Sequence, residues 1–248
     1  MAKELNQRLS FTRKSLKHGS FSVFNKGSHL TAALLFIISY MQRLNINTQQ
    51  YFDLPHASNS KIKEAHKVFQ THQTFTIDTT KAFREGSAFD ALTTEIDQFN
   101  SNQVDVNKLL KMQKALKENI YYKTLFNDAD KQAVFIEDNL PIEYEGLSYT
   151  IPAKCKYDLF KEIIGGDIKT TVATSQEAFE KAALFLGYHV QGAWYMDIAQ
   201  VDRFVIIGIS KQNFRSFSIG IKRNDHLYNL GKELYQKYAV SWWKLSGQ

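Results

Sequence analysis

The spacing of apolar residues between residues 131 and 171 constrains the fold of this chain more than any other feature of the sequence. Here apolar residues recur at about every second position, which is typical of β-strands, whereas the preceding segments follow a helical period. Chain breaks are predicted at Asp138-Asn139, Glu145-Gly146 and Gly165-Gly166. We therefore predict four successive strands, at about 131–137, 141–145, 147–159 and 161–170.

Helical patterns flank these strands on both sides. The helices predicted in the first half are one capped by Ser58 or Ser60, one over Thr79–Phe99 and one over Val104–Tyr122. The elements predicted after the strands are helices within Ser175–Gln200 split around Gly187, strands Arg203–Ser210 and Phe214–Ile221, and a helix to about Trp243. This order predicts an α/β fold with a central mixed β-sheet flanked by helices over residues 51–248, and residues 1–50 as a helical N-terminal extension of unassigned role.

Charge and cysteine content exclude several classes of protein. The 31 Lys and Arg residues outnumber the 25 Asp and Glu residues, and the net charge of +6 permits a polyanionic partner such as nucleic acid. The single cysteine, Cys155, excludes an intramolecular disulfide and an iron–sulfur cluster held by this chain alone. The most hydrophobic run, Leu30–Met41, has 12 residues, is too short to cross a bilayer and predicts a buried helix. These features favour a cytoplasmic protein with no membrane association.

Two carboxylates and an ammonium group fall together on adjacent predicted strands. Asp158 ends one strand and Asp167 lies on the next. Because neighbouring strands lie about 4.8 Å apart, these side chains can share a divalent metal ion, and oxygen ligands suit Mg²⁺ or Mn²⁺. Lys169 lies two residues after Asp167, on the same face, and the backbone carbonyl of Ile168 is a further candidate ligand. The set fits phosphodiester hydrolysis, with Lys169 orienting water or stabilising the transition state.

A surface ion pair between neighbouring strands is the alternative interpretation of this set. Against it, residues 163–168 are otherwise apolar or small, and charges in such segments are usually paired or bound to metal. Downstream, Gln191 and Tyr195 are four residues apart and share one face of a predicted helix. They can contact a phosphate or orient an active-site group, whereas simple core packing of the aromatic residue is the alternative.

In combination these motifs resemble the PD-(D/E)XK nuclease superfamily, and more narrowly the exonuclease VIII (RecE) type of phage recombination exonuclease. The residues that carry the resemblance are Lys154-Cys155-Lys156-Tyr157-Asp158, Asp167-Ile168-Lys169-Thr170-Thr171, and Tyr188-His189-Val190-Gln191 through Trp194-Tyr195. It covers roughly residues 56–240. The resemblance implies a restriction-endonuclease-like α/β core over residues 51–248, with metal binding by Asp158 and Asp167. It also implies that Lys169 is catalytic and that Gln191 and Tyr195 form the family's Q-x-x-x-Y motif.

Further site residues follow from the resemblance. Residues 84–92 look like a family helix in which His usually stands where this chain has Asp90. Asp90 is therefore a candidate for an additional metal ligand, and an exposed helix residue with no such role is the alternative. Gln132 stands where an acidic residue is expected to open the first strand. The candidates for contacts with DNA are Thr170, Thr171 and His189.

The sequence and the resemblance together predict a metal-dependent DNA nuclease. The resemblance narrows this to an exonuclease that resects linear double-stranded DNA for phage-type recombination or repair, in a bacterial host cell or encoded by a phage. It implies a single-strand annealing protein as partner and a homo-oligomer as the assembly. Two alternatives stay open: an endonuclease of the same fold, and a catalytically inactive DNA-binding or phage structural protein that retains the fold.

Overall fold

The computed structural model describes residues 41–71, 80–102 and 104–246. The strands are β1 (Met41–Leu44), β2 (Asp130–Tyr144), β3 (Leu147–Lys161), β4 (Ile164–Thr171), β5 (Arg203–Ser210) and β6 (Ser216–Lys222). The helices are α1 (Thr48–Asp53), α2 (Asn59–Thr71), α3 (Thr80–Thr94), α4 (Val106–Glu118), α5 (Ile120–Leu125), α6 (Gln176–Phe185), α7 (Tyr188–Ala199) and α8 (His226–Ser246), with a short 3₁₀ turn at Ile96–Gln98. No helix in these three ranges is long and apolar enough to cross a membrane.

The six strands form one sheet in the order β1-β2-β3-β4-β5-β6. Neighbouring strands are antiparallel except for β4 and β5, which are parallel and are joined through α6 and α7. Two parallel neighbouring strands need such a crossover, because the chain leaves the first strand at one end of the sheet and must return to the other end before the second strand begins. The predicted mixed sheet flanked by helices is therefore confirmed.

The turns between strands β2, β3 and β4 agree only in part with the chain breaks predicted from the sequence. Glu145 and Gly146 both have positive φ, at 49° and 79°, as a two-residue hairpin turn requires, so the predicted break there is confirmed. The break predicted at Gly165-Gly166 is wrong, because both glycines lie inside β4 and the turn is at Glu162-Ile163. A Cβ atom on Gly165 would lie 1.9 Å from the Tyr157 ring, so this glycine provides space rather than a bend.

Other element boundaries also differ from those predicted, and the helix expected over Thr79–Phe99 ends at Thr94 before a 3₁₀ turn at Ile96–Gln98. The strands expected at 131–137 and 141–145 are one strand, β2, whose pairing with β3 is interrupted by a register shift between Glu137 and Leu140. The single helix expected over Val104–Tyr122 is two helices, because Asn119 has extended backbone angles and its side chain accepts hydrogen bonds from the first turn of α5. A polar residue that can cap a new helix thus overrides continuous helical periodicity.

The helices cover both faces of the sheet with hydrophobic cores. One face packs on α7 and α8 around Trp194 and Phe204, and the other packs on α3, α4 and α5 around Leu116 and Phe126. The start of α2 is fixed by the Ser58 hydroxyl, which accepts a hydrogen bond from the Lys61 N–H at 3.3 Å. Of the predicted caps, Ser58 is therefore the one used.

The N-terminal region differs from the expected helical extension where it is described. Met41–Leu44 form the edge strand β1, which pairs with β2, and α1 begins at Thr48. Residues 41–50 therefore contribute to the same sheet-based unit as the rest of the described chain. The helix predicted over Leu30–Met41 lies outside the described residues except for Met41, which is in β1. The helical extension predicted for residues 1–40 lies outside the described residues and stays a prediction.

Gly231 of α8 lies against the backbone of α7. A Cβ atom at this position would be 2.2 Å from the carbonyl oxygen of His189. Gly231→Ala is therefore expected to lower the free energy of unfolding by about 1–3 kcal/mol, because a backbone atom cannot rotate away from the clash. The measurement is urea denaturation beside Gly220→Ala, a control whose Cβ would meet its nearest atom at 4.0 Å. A Gly231→Ala midpoint at or above that of the unsubstituted chain would show that helix propensity outweighs packing here.

Candidate active site

The candidate site lies where β3 and β4 separate. Their pairing starts at the turn and ends at Leu159 opposite Gly166, so the strands part at the next residues, Asp158 and Asp167. Across this gap an Asp158 carboxylate oxygen accepts a hydrogen bond from the Ile168 N–H at 2.7 Å. The two acidic residues are predicted on neighbouring strands, and they lie together where β3 and β4 separate, a point called here the fork between β3 and β4.

Asp167 is the most deeply buried acidic residue of this site, at 3% exposure. One carboxylate oxygen accepts a hydrogen bond of 2.6 Å from the Gln191 side-chain amide, and the other lies 2.5 Å from the Lys169 ammonium. Gln191 is itself buried on α7, so this helix fixes the orientation of Asp167 from one side. The predicted set of Asp158, Asp167, Lys169 and Gln191 is thus brought together in one place.

The charges in this site shift one another's ionisation. Burial, followed by the charges of Asp167 and Asp90, raises the pKa of Asp158 well above its usual range. Burial also raises the pKa of Asp90, although a hydrogen bond from Thr94 opposes this shift. Burial acts to lower the pKa of Lys169, but the carboxylates of Asp167 and Asp158 outweigh it and raise the pKa above the usual value. The Lys169 ammonium group therefore stays charged at neutral pH.

A cleft of about 320 Å³ opens at this point between α3, β4 and the start of α7. The side chains and backbone that line it come from Gly86, Ser87, Phe89, Asp90, Asp158, Ile168, Lys169, Thr170 and Tyr188. The predicted helix residue Asp90 therefore faces the same cleft as Asp158. Helix α3 lies close to β4 here, since a Cβ on Gly86 would be 3.5 Å from the Thr170 hydroxyl.

The remaining predicted residues lie in different places. Thr170 lines the cleft, whereas the Thr171 hydroxyl accepts a hydrogen bond from the Ala173 N–H at 3.1 Å. The Tyr195 ring packs on Tyr157 and Phe204 with centroids 5.1 and 5.7 Å away, so its core-packing interpretation holds for the ring. Burial, with the charges of Tyr51 and Asp167, raises the pKa of its hydroxyl.

His189 does not line the cleft. It is 6% exposed and lines a separate pocket of about 330 Å³ between α6, β6 and α8. Neither ring nitrogen has a hydrogen-bond partner among the described residues. This placement gives no support to a direct contact between His189 and DNA.

Three residues near the site were not among the site residues predicted from the sequence. The Tyr188 ring lies 5.5 Å from the Lys169 ammonium, and the Thr94 hydroxyl donates to Asp90. Lys63, far away in the chain on α2, donates to the carbonyl oxygens that end α6, and burial with the like charge of Lys169 lowers its pKa to about 8. Of these three residues, only Thr94 could have been predicted from the sequence, because it lies one helical turn after Asp90 on the same face of the helix.

The donor set fits a hydrated divalent cation better than a three-carboxylate site. Within residues 41–71, 80–102 and 104–246, no group of three His, Cys, Asp or Glu side chains is arranged to hold a metal ion. Mg²⁺, however, is commonly bound through one or two carboxylates and keeps several water molecules. Asp158 and Asp167 form such a pair, and a cation would offset both the burial and the repulsion from Asp167 that raise the pKa of Asp158. In this arrangement Asp90 is not one of the two carboxylates that would bind the metal directly.

Comparison with known proteins adds resemblances of low similarity. No protein-family model and no curated protein sequence matches the chain. Among solved structures, a phage-related exonuclease from Haemophilus somnus 129PT is 16% identical, with a TM-score of 0.37, over 77% of this chain and 96% of that one. An alkaline exonuclease from Laribacter hongkongensis is 10% identical, with a TM-score of 0.38, over 80% of this chain and 94% of that one.

Proposed function

We propose that this protein is a metal-dependent nuclease that hydrolyses phosphodiester bonds in DNA. The observation that carries the proposal is that two carboxylates and a charged ammonium group lie close together at the fork between β3 and β4. These groups belong to Asp158, Asp167 and Lys169. Structural ion pairs seldom place a second carboxylate of raised pKa in an open cleft, whereas catalytic sites often do.

Each residue has a defined part in this proposal. Asp158 and Asp167 would hold Mg²⁺ or Mn²⁺, which when bound polarises a phosphate and lowers the pKa of water. Gln191 keeps the Asp167 carboxylate in one orientation through its 2.6 Å hydrogen bond. Lys169, held charged by both carboxylates, can stabilise negative charge that develops on the phosphate or orient the attacking water.

Double-stranded DNA and an exonuclease activity are the finer part of the proposal. The net charge of +6 favours a polyanionic substrate, and the family resemblance of the motifs favours resection of linear duplex ends. An annealing protein and a homo-oligomeric assembly are proposed on the same resemblance. The open cleft by itself suits an endonuclease equally well, so the experiment must separate the two activities.

The experiment incubates the purified full chain with end-labelled linear duplex DNA and with covalently closed circular DNA, each with Mg²⁺, Mn²⁺ or EDTA. Degradation of linear DNA alone, only with metal present, is the expected result. Cutting of closed circles would replace the exonuclease with an endonuclease of the same fold. Binding of DNA with no hydrolysis in either metal would favour the inactive DNA-binding protein.

A further inference from the structure

Gln132 of β2 is far from Asp158 in the sequence but lies near it in the sheet. The pairs Lys131 with Leu159 and Ala133 with Tyr157 place it opposite Asp158 on β3. Its backbone has a φ of 53°, in the left-handed region that residues other than glycine rarely adopt. Such a conformation persists only where surrounding contacts hold it, and these positions cluster at functional sites.

The Gln132 side chain is connected to Asp90 through Thr94. Its amide nitrogen donates to the Thr94 hydroxyl at 2.7 Å. That hydroxyl has one proton to donate, which is shared between the Asp90 carbonyl oxygen at 2.9 Å and an Asp90 carboxylate oxygen at 3.1 Å. Thr94 is nearly buried, at 9% exposure, so the connection runs inside the protein. These hydrogen bonds thus connect a strand residue of positive φ to an acidic side chain that lines the cleft.

The other amide atom of Gln132 is also informative. Its carbonyl oxygen, Oε1, is buried and has no hydrogen-bond partner among the described residues. A buried acceptor without a partner is costly, so its retention calls for a reason. Water molecules that hydrate a divalent cation are hydrogen-bond donors, and Mg²⁺ keeps several of them. The Asp90 carboxylate lines the cleft together with Asp158, and Gln132 stands opposite Asp158 in the register of β2 and β3.

We infer that Gln132 and Thr94 are positioning residues, which hold Asp90 as an acceptor for the water that hydrates a cation bound by Asp158 and Asp167. In this proposal Asp90 contacts the water bound to the cation and not the cation itself. This agrees with the lack of a group of three metal-binding side chains among the described residues. The inference rests on the proposed function, since it requires a divalent cation at the aspartate pair. It adds a residue from a strand, Gln132, that carries none of the predicted catalytic groups.

The test measures Mn²⁺ binding to the full chain by electron paramagnetic resonance of free Mn²⁺, with no DNA present. Gln132→Gly and Thr94→Val are each expected to weaken Mn²⁺ binding about tenfold or more, as loss of a residue that orients a metal site commonly does. Thr94→Ser keeps the hydroxyl and is expected to bind like the unsubstituted chain. In EDTA, Gln132→Gly should melt at the same temperature or higher, because glycine adopts positive φ without strain.

A purely structural role predicts the opposite pattern for Gln132→Gly: a lower melting temperature in EDTA and unchanged Mn²⁺ affinity. That result, or equal affinities for Thr94→Val and Thr94→Ser, would overturn the inference while leaving the proposed nuclease intact. If the unsubstituted chain itself binds no Mn²⁺, both the inference and the metal-dependent function are overturned. If Gln132→Gly does not fold, the Thr94 pair decides.

Discussion

Lys169→Met is expected to lower the rate of DNA cleavage by about 10²- to 10³-fold while Mn²⁺ binding is retained. The reason is the position of the Lys169 ammonium, 2.5 Å from an Asp167 carboxylate oxygen and on the lining of the cleft. Removing it leaves the two carboxylates in place and takes away one opposing positive charge, so a cation is still attracted. The measurement pairs single-turnover cleavage of linear duplex DNA with Mn²⁺ titration by electron paramagnetic resonance.

Lys181→Met is the matched control for that variant. Its ammonium group is also ion-paired, with Glu177, but both side chains are 76% exposed on α6. An exposed pair of this kind contributes little, so cleavage should stay near that of the unsubstituted chain. Equal losses in Lys169→Met and Lys181→Met would mean that general charge, and not a group in the cleft, controls the rate.

Asp167→Asn is expected to lose both cleavage and tight Mn²⁺ binding. A metal ion supplies several kcal/mol of transition-state stabilisation, and each ~1.4 kcal/mol is tenfold in rate, so the expected loss is on the order of 10³-fold or more. Asparagine has nearly the same shape and can still accept a hydrogen bond from Gln191, which limits structural damage. Cleavage, Mn²⁺ affinity and the melting temperature in EDTA are measured together.

The comparison between Lys169→Met and Asp167→Asn separates the roles of the two residues. Asp202→Asn provides a control for the second, because Asp202 is 64% exposed and pairs with Arg223 at 3.4 Å. Retained Mn²⁺ binding in Asp167→Asn would remove that residue from the metal site. Loss of Mn²⁺ binding in Lys169→Met would show that the ammonium group is needed to build the site and not only to act in it.

The sequence predicts which residues of the candidate site lie together, because these residues follow short-range periodicities. Asp167 and Lys169 are two residues apart on a strand, and Gln191 projects from a helix that periodicity also predicts. The residues around it depend on tertiary contacts that no periodicity contains. Lys63 reaches the end of α6 from α2, and the positive φ of Gln132 has no marker in the residue type.

The errors in the fold have a related cause. A pair of glycines usually indicates a turn, but Gly165 and Gly166 are required in β4 because aromatic rings occupy the space that their side chains would need. In the same way, Asn119 divides a helix that its apolar spacing alone predicts to be continuous. Local patterns therefore indicate the element type, whereas neighbouring elements decide where it ends.

The two glycines of β4 also affect the geometry of the site in the absence of a ligand. The Tyr157 ring lies against Gly165 on one face of the sheet and the Phe126 ring against Gly166 on the other, directly before Asp167. Strand β4 is thus packed between two aromatic rings, which restrict its freedom to tilt or slide. We expect this aromatic packing to set the spacing between Asp158 and Asp167, so that a divalent cation held by the proposed site would require little reorganisation.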